Sequence, residues 1–390
     1  MGMMGLSGVG APSASAAGSP LTICVDNELT GPGGIAGADT AFGVKAKAAQ
    51  INASGGLLGH QLKVVVLNNQ SEPSLSGQIV RECVQKYNAW AVLGVVLSPD
   101  LVPAIPVANE LQVPYISWLS GWNLPGLPKS AYDSWSFPGA GNIYVADNVD
   151  AINDIALPRH YSRIAVIYEN DPSAASVLPA MEQSAKQDHF KLVAHQTMNV
   201  GQTNVTPAVL QLLKNHPQMI ILAIAPGTDS ITFLKAMRAQ NPTIPMAVCP
   251  GCSSTTFLQA MGGAKGMKGI YSTGTEQQLA DSLAKTKANQ PILKDISQYY
   301  KWMRKEGYGS IDQLNGGASG WSNVDQLMDA AESTHSVAKS AIKNGLEHLH
   351  ATTLGLTWSR SPGNYDNVVQ LGAVVQINAN GSVTTLKSRS

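Results

Sequence analysis

The stretch LTGPGGIAGADTAFGVKAKAAQINASGGLLG, from Leu29 to Gly59, constrains the fold more than any other part of the chain. It follows a short apolar run, Leu21 to Val25, and leads into a second one, Gln61 to Leu67. Between them, the Gly-rich segment Leu29 to Gly37 reads as a loop whose backbone can take positive φ and whose amides can approach a ligand without side chains in the way. Helical periodicity then sets in, with Ala41, Val44, Ala48 and Ile51 on one face, until Asn52 and the Gly55-Gly56 pair stop it. Strand, loop, helix and strand in this order predict a right-handed βαβ crossover. Its loop lies at the carboxyl end of the first strand, where open α/β sheets hold ligands.

Strand-like apolar runs recur between amphipathic stretches: Ala91 to Leu97, Tyr115 to Leu119, Ile164 to Tyr168, Met219 to Ala225 and Pro245 to Cys249. The alternation predicts an α/β protein of parallel sheets covered by helices. With 390 residues the chain is too long for one core, so two domains of similar size are expected. Lys plus Arg and Asp plus Glu number 26 each and are scattered, which offers no basic patch to nucleic acid or to an anionic membrane surface. No apolar run approaches the roughly 20 residues that span a bilayer.

Residues 1–20 are small, weakly apolar and uncharged, with Ala14-Ser15-Ala16 shortly before the first strand. They read as the remainder of a secretory signal with an A-x-A cleavage site, or else as a disordered linker. Leu21-Thr22-Ile23-Cys24 does not serve lipid attachment, because Ile23 stands where a small residue is needed and the segment is strand-like.

The stretch from Leu29 to Gly59 resembles the amino-terminal signature of the type I periplasmic binding proteins, the branched-chain amino acid receptor family of ABC importers. Leu29, Thr30, Gly31, Pro32 and Gly37 match its loop; Ile51, Asn52, Gly55, Gly56, Leu57 and Gly59 match the end of its helix. The resemblance continues through Val92 to Ser117, Arg163 to Ser176, a helix from Ser322 to Ser333 containing VDQLMDAA, and GSVTTLK near the end. It implies two doubly wound parallel-sheet lobes joined by three hinge crossovers, with the ligand cleft between them. By position, residues 1–20 are a disordered leader, lobe one is 21–138 plus 273–353, and lobe two is 139–272 plus 354–390. The crossovers fall near Phe137-Pro138-Gly139, Tyr271 to Gly274, and Thr353 to Trp358. The implied protein is a secreted or periplasmic monomer, not an enzyme, without cofactor or metal. It delivers a small molecule to the membrane permease and ATPase subunits of an ABC importer and does not bind nucleic acid. A ligand sensor of the same fold, signalling to a regulator or receptor, is the alternative.

Ligand contacts are expected in the loops after the strands: Asn27 to Thr30, Ser98 to Asp100, Ser117 to Trp122, Asn170 to Ser173, Ala225 to Thr228 and Cys249 to Ser253, with Tyr271 at a hinge. In the amino acid receptors, the resemblance implies Ser98 and Ser120 for the ligand carboxylate. Trp122 stands where a second hydroxyl is usual and offers a stacking face and one donor instead. On the ammonium side, Ser173 replaces a Tyr, Ala225 or Pro226 an aromatic residue, and Cys249-Pro250-Gly251-Cys252 an acidic residue. Without that carboxylate an ammonium would be poorly compensated unless Asp100 or Asp171 substitutes. The candidate set is therefore Leu29, Thr30, Ser98, Asp100, Trp118, Ser120, Trp122, Asp171, Ser173, Pro226, Cys252 and Tyr271. The expected ligand is amino-acid-like or, in preference, an aromatic or neutral compound. Trp118 fits a packing role between sheet and helix equally well.

Cys249 and Cys252 are spaced for a small disulfide on the cleft rim, and Cys24 and Cys83 could pair as well. Gly31-Pro32-Gly33-Gly34-Ile35-Ala36 has the spacing of a dinucleotide fingerprint. However, Pro32 removes an amide from the phosphate cradle, and the second strand ends in Asn68-Asn69 with no acid for a ribose. No nucleophile elbow, zinc-protease motif or phosphate loop is present in the sequence.

Overall fold

The computed structural model describes residues 18–118, 134–139, 148–149, 151–188, 190–224, 227–248, 255–273, 276–308, 317–365, 368–378 and 383–389. The chain begins with β1 (Gly18–Asn27), α1 (Gly34–Ala53), β2 (His60–Asn68), α2 (Pro73–Gln85), β3 (Ala89–Gly94), α3 (Ser98–Glu110), β4 (Tyr115–Ile116) and β5 (Ser136–Phe137). These five strands make one sheet, in the order β2-β1-β3-β4-β5, with every neighbouring pair parallel.

The next segment repeats this winding. It comprises β6 (Arg163–Glu169), the short α4 (Pro172–Ala175), α5 (Val177–Gln187), β7 (Lys191–Met198), α6 (Thr206–Lys214), β8 (Met219–Ala223), α7 (Thr228–Gln240), β9 (Met246–Ala247), α8 (Thr255–Ala260) and β10 (Ile270–Thr273). After α9 (Glu276–Ser282) come α10 (Gln290–Lys305), α11 (Gly317–Thr334) and α12 (Lys339–Glu347). The chain ends in β11 (His350–Thr353), β12 (Leu356–Ser359), β13 (Val368–Gln370), β14 (Gly372–Ile377) and β15 (Val383–Arg389). The second sheet runs β15-β14-β10-β9-β8-β6-β7, parallel from β7 to β10 and antiparallel where β14 and β15 are added. β11, β12 and β13 form a small antiparallel sheet of their own.

The helical face expected for α1 is the one that is buried: Val44 is fully covered, and Ala41, Ala48 and Ile51 are nearly so. They share a core with Ile23 and Val25 of β1, Val324 and Leu327 of α11, and Ile342 and Leu346 of α12, which fixes α11 and α12 to the first sheet. Each such aliphatic side chain contributes about 1.5–3 kcal/mol when fully buried. A separate core, including Ile167, Leu222, Phe233 and Met237, lies against the second sheet. The first sheet is also stapled to its covering helix by a disulfide between Cys24 of β1 and Cys83 of α2, with the two Cα atoms 5.7 Å apart.

Three local differences from the sequence reading have physical causes. The loop after β1 is shorter than Leu29 to Gly37, because α1 already begins at Gly34. A β-carbon at Gly37 would collide with the carbonyl oxygen of Glu28, so only Gly lets the first turn of α1 rest on the end of β1. At the other end, β1 starts at Gly18 and so takes in Gly18-Ser19-Pro20 of the segment read as leader. The Gly18 amide donates to the Gly59 carbonyl at 3.1 Å, and the ring of His60 lies 2.8 Å from the Ser19 carbonyl. Tyr271, expected at a hinge, is an interior residue of β10, paired with Ala247 on one side and Gln376 on the other. The first and third crossover regions are bonded to each other. Trp358 Nε1 donates to the Gly139 carbonyl at 2.7 Å and Arg360 Nη2 to the Pro138 carbonyl at 2.5 Å.

Candidate ligand-binding cleft

At its carboxyl end β1 leaves the apolar pattern and reads Asp26-Asn27-Glu28, and all three residues are completely buried. Buried polar groups must find partners, and each of these reaches a different element. Asp26 Oδ1 accepts from Asn69 Nδ2 at 3.2 Å and from Ser76 Oγ, on α2, at 3.5 Å. Asn27 Nδ2 donates to Thr40 Oγ1 at 2.7 Å and to the Gly37 carbonyl, while its Oδ1 accepts from Trp118 Nε1 at 3.1 Å. Glu28 accepts from the Val96 amide on both oxygens, at 3.0 and 2.9 Å, and from the Leu97 amide at 2.7 Å. The three consecutive residues thus tie α2, α1 and the turn into α3 together beneath the loop Leu29 to Gly33.

The electrostatics of this hub are one-sided. Asp100, in the first turn of α3, is fully buried, and no donor of another residue reaches either of its carboxylate oxygens. Burial and, after it, the neighbouring Glu28 carboxylate push Asp100 from its ordinary 3.8 up to about 9. Asp26 is raised well above the usual carboxylate range, first by burial and then by Glu28. Glu28 is itself raised by burial, with the Leu97 and Val96 amides pulling the other way. Two carboxyl groups this close cannot both ionise in an apolar surrounding, so Glu28 and Asp100 hold one proton between them at neutral pH. Of the two, Glu28 has the amide donors that favour the charged form.

The second sheet presents its own strand ends to this surface. Pro32 abuts Gly227, where a β-carbon would strike the Pro32 carbonyl, and its ring approaches Gly201. Ile35 of α1 packs against the core of the second lobe, and α3 touches α4. Asp229, in the first turn of α7, is nearly buried and accepts from the Gly201 amide at 2.6 Å. Its carboxyl is raised first by burial, opposed by hydrogen bonds from the Gly201 amide and then from Glu169, at the end of β6.

The residues chosen from sequence fall into three groups. Leu29 and Thr30 lie in the loop after β1, Asp171 in the loop after β6, and Ser98 and Asp100 in the first turn of α3. The Leu29 amide donates to Asn68 Oδ1 at 2.9 Å, Thr30 Oγ1 accepts from Asn68 Nδ2 at 3.1 Å, and Asp171 Oδ1 accepts from the Ala174 amide at 3.2 Å. Ser173 sits on α4. Trp118 and Tyr271 go elsewhere: Trp118 is sealed in the first-lobe core with Ile116 and Phe137, and the Tyr271 ring is buried in a second-lobe core with the Arg159 guanidinium 4.9 Å from its centre. Ser120, Trp122, Pro226, Cys252 and the Cys249–Cys252 pair lie outside the described residues. The sequence reading missed Asp26, Glu28, Glu169 and Asp229. Its one available signal was a polar Asp-Asn-Glu run placed directly on an apolar strand.

The family profile of the periplasmic binding proteins matches residues 20–382. The chain belongs to this family, with the type I fold of its branched-chain amino acid receptors. An extracellular ligand-binding receptor from Rhodopseudomonas palustris HaA2 superposes with a TM-score of 0.79 at 18% identity, covering 94% of this chain and 99% of that one. LivJ, the branched-chain amino acid transporter substrate binding protein from Streptococcus pneumoniae, in complex with isoleucine, gives 0.75 at 18% identity, covering 95% and 100%. An ABC transporter solute binding protein from R. palustris, in complex with 4-hydroxybenzoate, gives 0.76 at 13% identity and covers 96% of each chain. At these identities the likeness shows the fold. No curated protein sequence matches the chain. Ligand binding, rather than catalysis, characterises the family, whose members are extracytoplasmic. No described helix is long and apolar enough to cross a membrane, and no group of His, Cys, Asp or Glu among the described residues is arranged to hold a metal.

Proposed function

We propose that the protein is the extracytoplasmic substrate-binding component of an ABC importer, a monomer that closes two lobes on a small aromatic or neutral molecule and presents the closed form to a membrane permease and its ATPase. The lobes are 21–138 plus 273–353 and 139–272 plus 354–390. The observation that carries this reading is the meeting of two similarly wound sheets at their strand ends, with Pro32 against Gly227 and α3 against α4. Ligand contacts from both lobes exist together only when the lobes are shut, so a ligand shifts the open–closed equilibrium by its differential affinity for the two states. Leu29, Thr30, Ser98 and Asp171 are proposed to line the cleft from the described residues, and Ser120, Trp122, Ser173, Pro226 and Cys252 to complete it.

The test is a thermal-shift screen of ligand-stripped protein against branched-chain amino acids, aromatic acids, their amides, sugars and nucleosides. A ligand at a hundred times its Kd adds about 2.7 kcal/mol and a clear rise in Tm. Trp122→Ala is expected to weaken the best binder while leaving the unliganded Tm in place; an unchanged Kd removes Trp122 from the site. A panel in which nothing binds contradicts the reading.

A further inference from the structure

A helix amino terminus that opens into a cleft is a natural place for a ligand's anionic group, because its amides are unpaired and the helix dipole favours negative charge. In this protein α3 touches α4 of the second lobe, and the turn that leads into α3 is filled from within. The Val96 and Leu97 amides, in the turn that leads into α3, both donate to the Glu28 carboxylate, at 2.7 to 3.0 Å, and Glu28 is wholly enclosed. Beside it stands Asp100, equally enclosed, with neither oxygen reached by a donor. Asp26 and Glu72 add further acid within electrostatic range. The chain thus places its own carboxyl groups at the entry to α3, with one of them seated on the two amides there.

The opposite lobe also carries an acid in the first turn of a helix. α7 carries Asp229 in its first turn, bonded to the Gly201 amide at 2.6 Å and placed beside Glu169. None of the described residues in 28–33, 95–99, 170–173 and 199–205 is Lys or Arg, so nothing in these loops offsets the acids. A carboxylate entering here would find the Val96 and Leu97 amides taken and like charge behind them, a repulsive element of the kind that sets specificity against a competitor. Isoleucine and 4-hydroxybenzoate, the molecules bound in two of the similar structures, both carry such a group.

We infer that Glu28 is a specificity-determining residue: by seating the chain's own carboxylate on the Val96 and Leu97 amides it excludes a ligand carboxylate from the first lobe, and the group a ligand presents there is uncharged or cationic. The inference rests on the binding-protein reading above and names the ligand class for that site.

Two readouts test it. In amide NMR of the full chain, added acetate is expected to leave the Val96 and Leu97 resonances of the wild type in place. In Glu28→Ala, where the missing CH2–COO⁻ leaves a space of acetate's shape, acetate should move both saturably and bind about tenfold more tightly than to the wild type. In calorimetry with the pairs benzoate and benzamide, and isoleucine and isoleucinamide, the wild type should favour the amide of each pair it binds. Glu28→Ala should shift that preference toward the acid by about tenfold, a change that a purely structural role for Glu28 would not produce. Saturable movement of the two wild-type amides by acetate, or wild-type preference for the acids, overturns the inference while leaving the binding-protein reading intact. If Glu28→Ala does not fold, the wild-type titrations still decide. Glu28→Gln, which keeps an acceptor on the amides and removes the charge, then supplies the comparison of preferences. Failure of every compound in the earlier screen is a different outcome and strikes the binding-protein reading itself.

Discussion

The two lobes share one winding, β2-β1-β3-β4-β5 and β7-β6-β8-β9-β10, yet they finish their first strands in opposite ways. β1 and the residue after it close on three fully buried polar residues that are bonded to α1, to α2 and to the turn before α3. β6 ends in buried Glu169 and then runs out at once to exposed Asn170 and half-buried Asp171. The first lobe is also closed covalently by Cys24 and Cys83. The contrast assigns different work to equivalent positions. The first lobe offers a buried, bonded floor, and the second a strand end that comes out to solvent at Asn170.

This contrast can be broken by substitution. The largest effect is expected from replacing Cys24 and Cys83 by Ala, which releases a cross-link spanning 59 residues in sequence and should cost about 2–5 kcal/mol in denaturant unfolding. Equal loss of protection in both lobes by hydrogen exchange would argue that they are not separately braced. Asn27→Ala comes next. It strips partners from Trp118 Nε1, Thr40 and the Gly37 carbonyl together, at a cost of roughly 2–3 kcal/mol. A loss under half of that would mean that water replaces the bonds.

The acids sharpen the comparison through pH. Asp100 is raised in the folded protein to about 9 from 3.8, so its favourable contribution is complete below pH 3.8 and is lost as pH rises toward 9. The slope for one such group is at most about 1.4 kcal/mol per pH unit. Asp100→Asn needs no proton to sit beside Glu28. It should flatten the decline of Tm between pH 5 and 9, approximate limits set by that window, and raise Tm most at the alkaline end. Parallel wild-type and variant profiles would show that the pair does not share a proton. Asp229→Asn should act in the same direction but more weakly, because the Gly201 amide supports the charge of Asp229 and no donor supports that of Asp100.

The frame of the molecule was legible in the chain because periodicity and glycine placement report on backbone. The buried face of α1, the run of parallel strands and the turn at Gly55-Gly56, with φ of 104° and 86°, follow from local pattern alone. Ser98, Asp100 and Asp171 were open to selection because topology puts the loops after parallel strands where such folds hold ligands. The hub could not be read in this way. Polar residues at the end of a strand ordinarily mean that a loop has begun, and only the three-dimensional approach of Val96 and Leu97 turns Glu28 inward. Trp118 and Tyr271 misled for the converse reason, since an aromatic residue near a strand end suits a ligand as well as a core. Asn27 settles Trp118 by accepting its only donor, and Arg159 covers Tyr271.

The most direct test is a crystal structure of the protein with the tightest ligand from the screen. The ligand should lie between the Leu29 to Pro32 loop and the strand ends of the second lobe, with Glu28 still on the Val96 and Leu97 amides and no ligand carboxylate within hydrogen-bond distance of them. A ligand carboxylate seated on those two amides, with Glu28 turned away, would contradict the account.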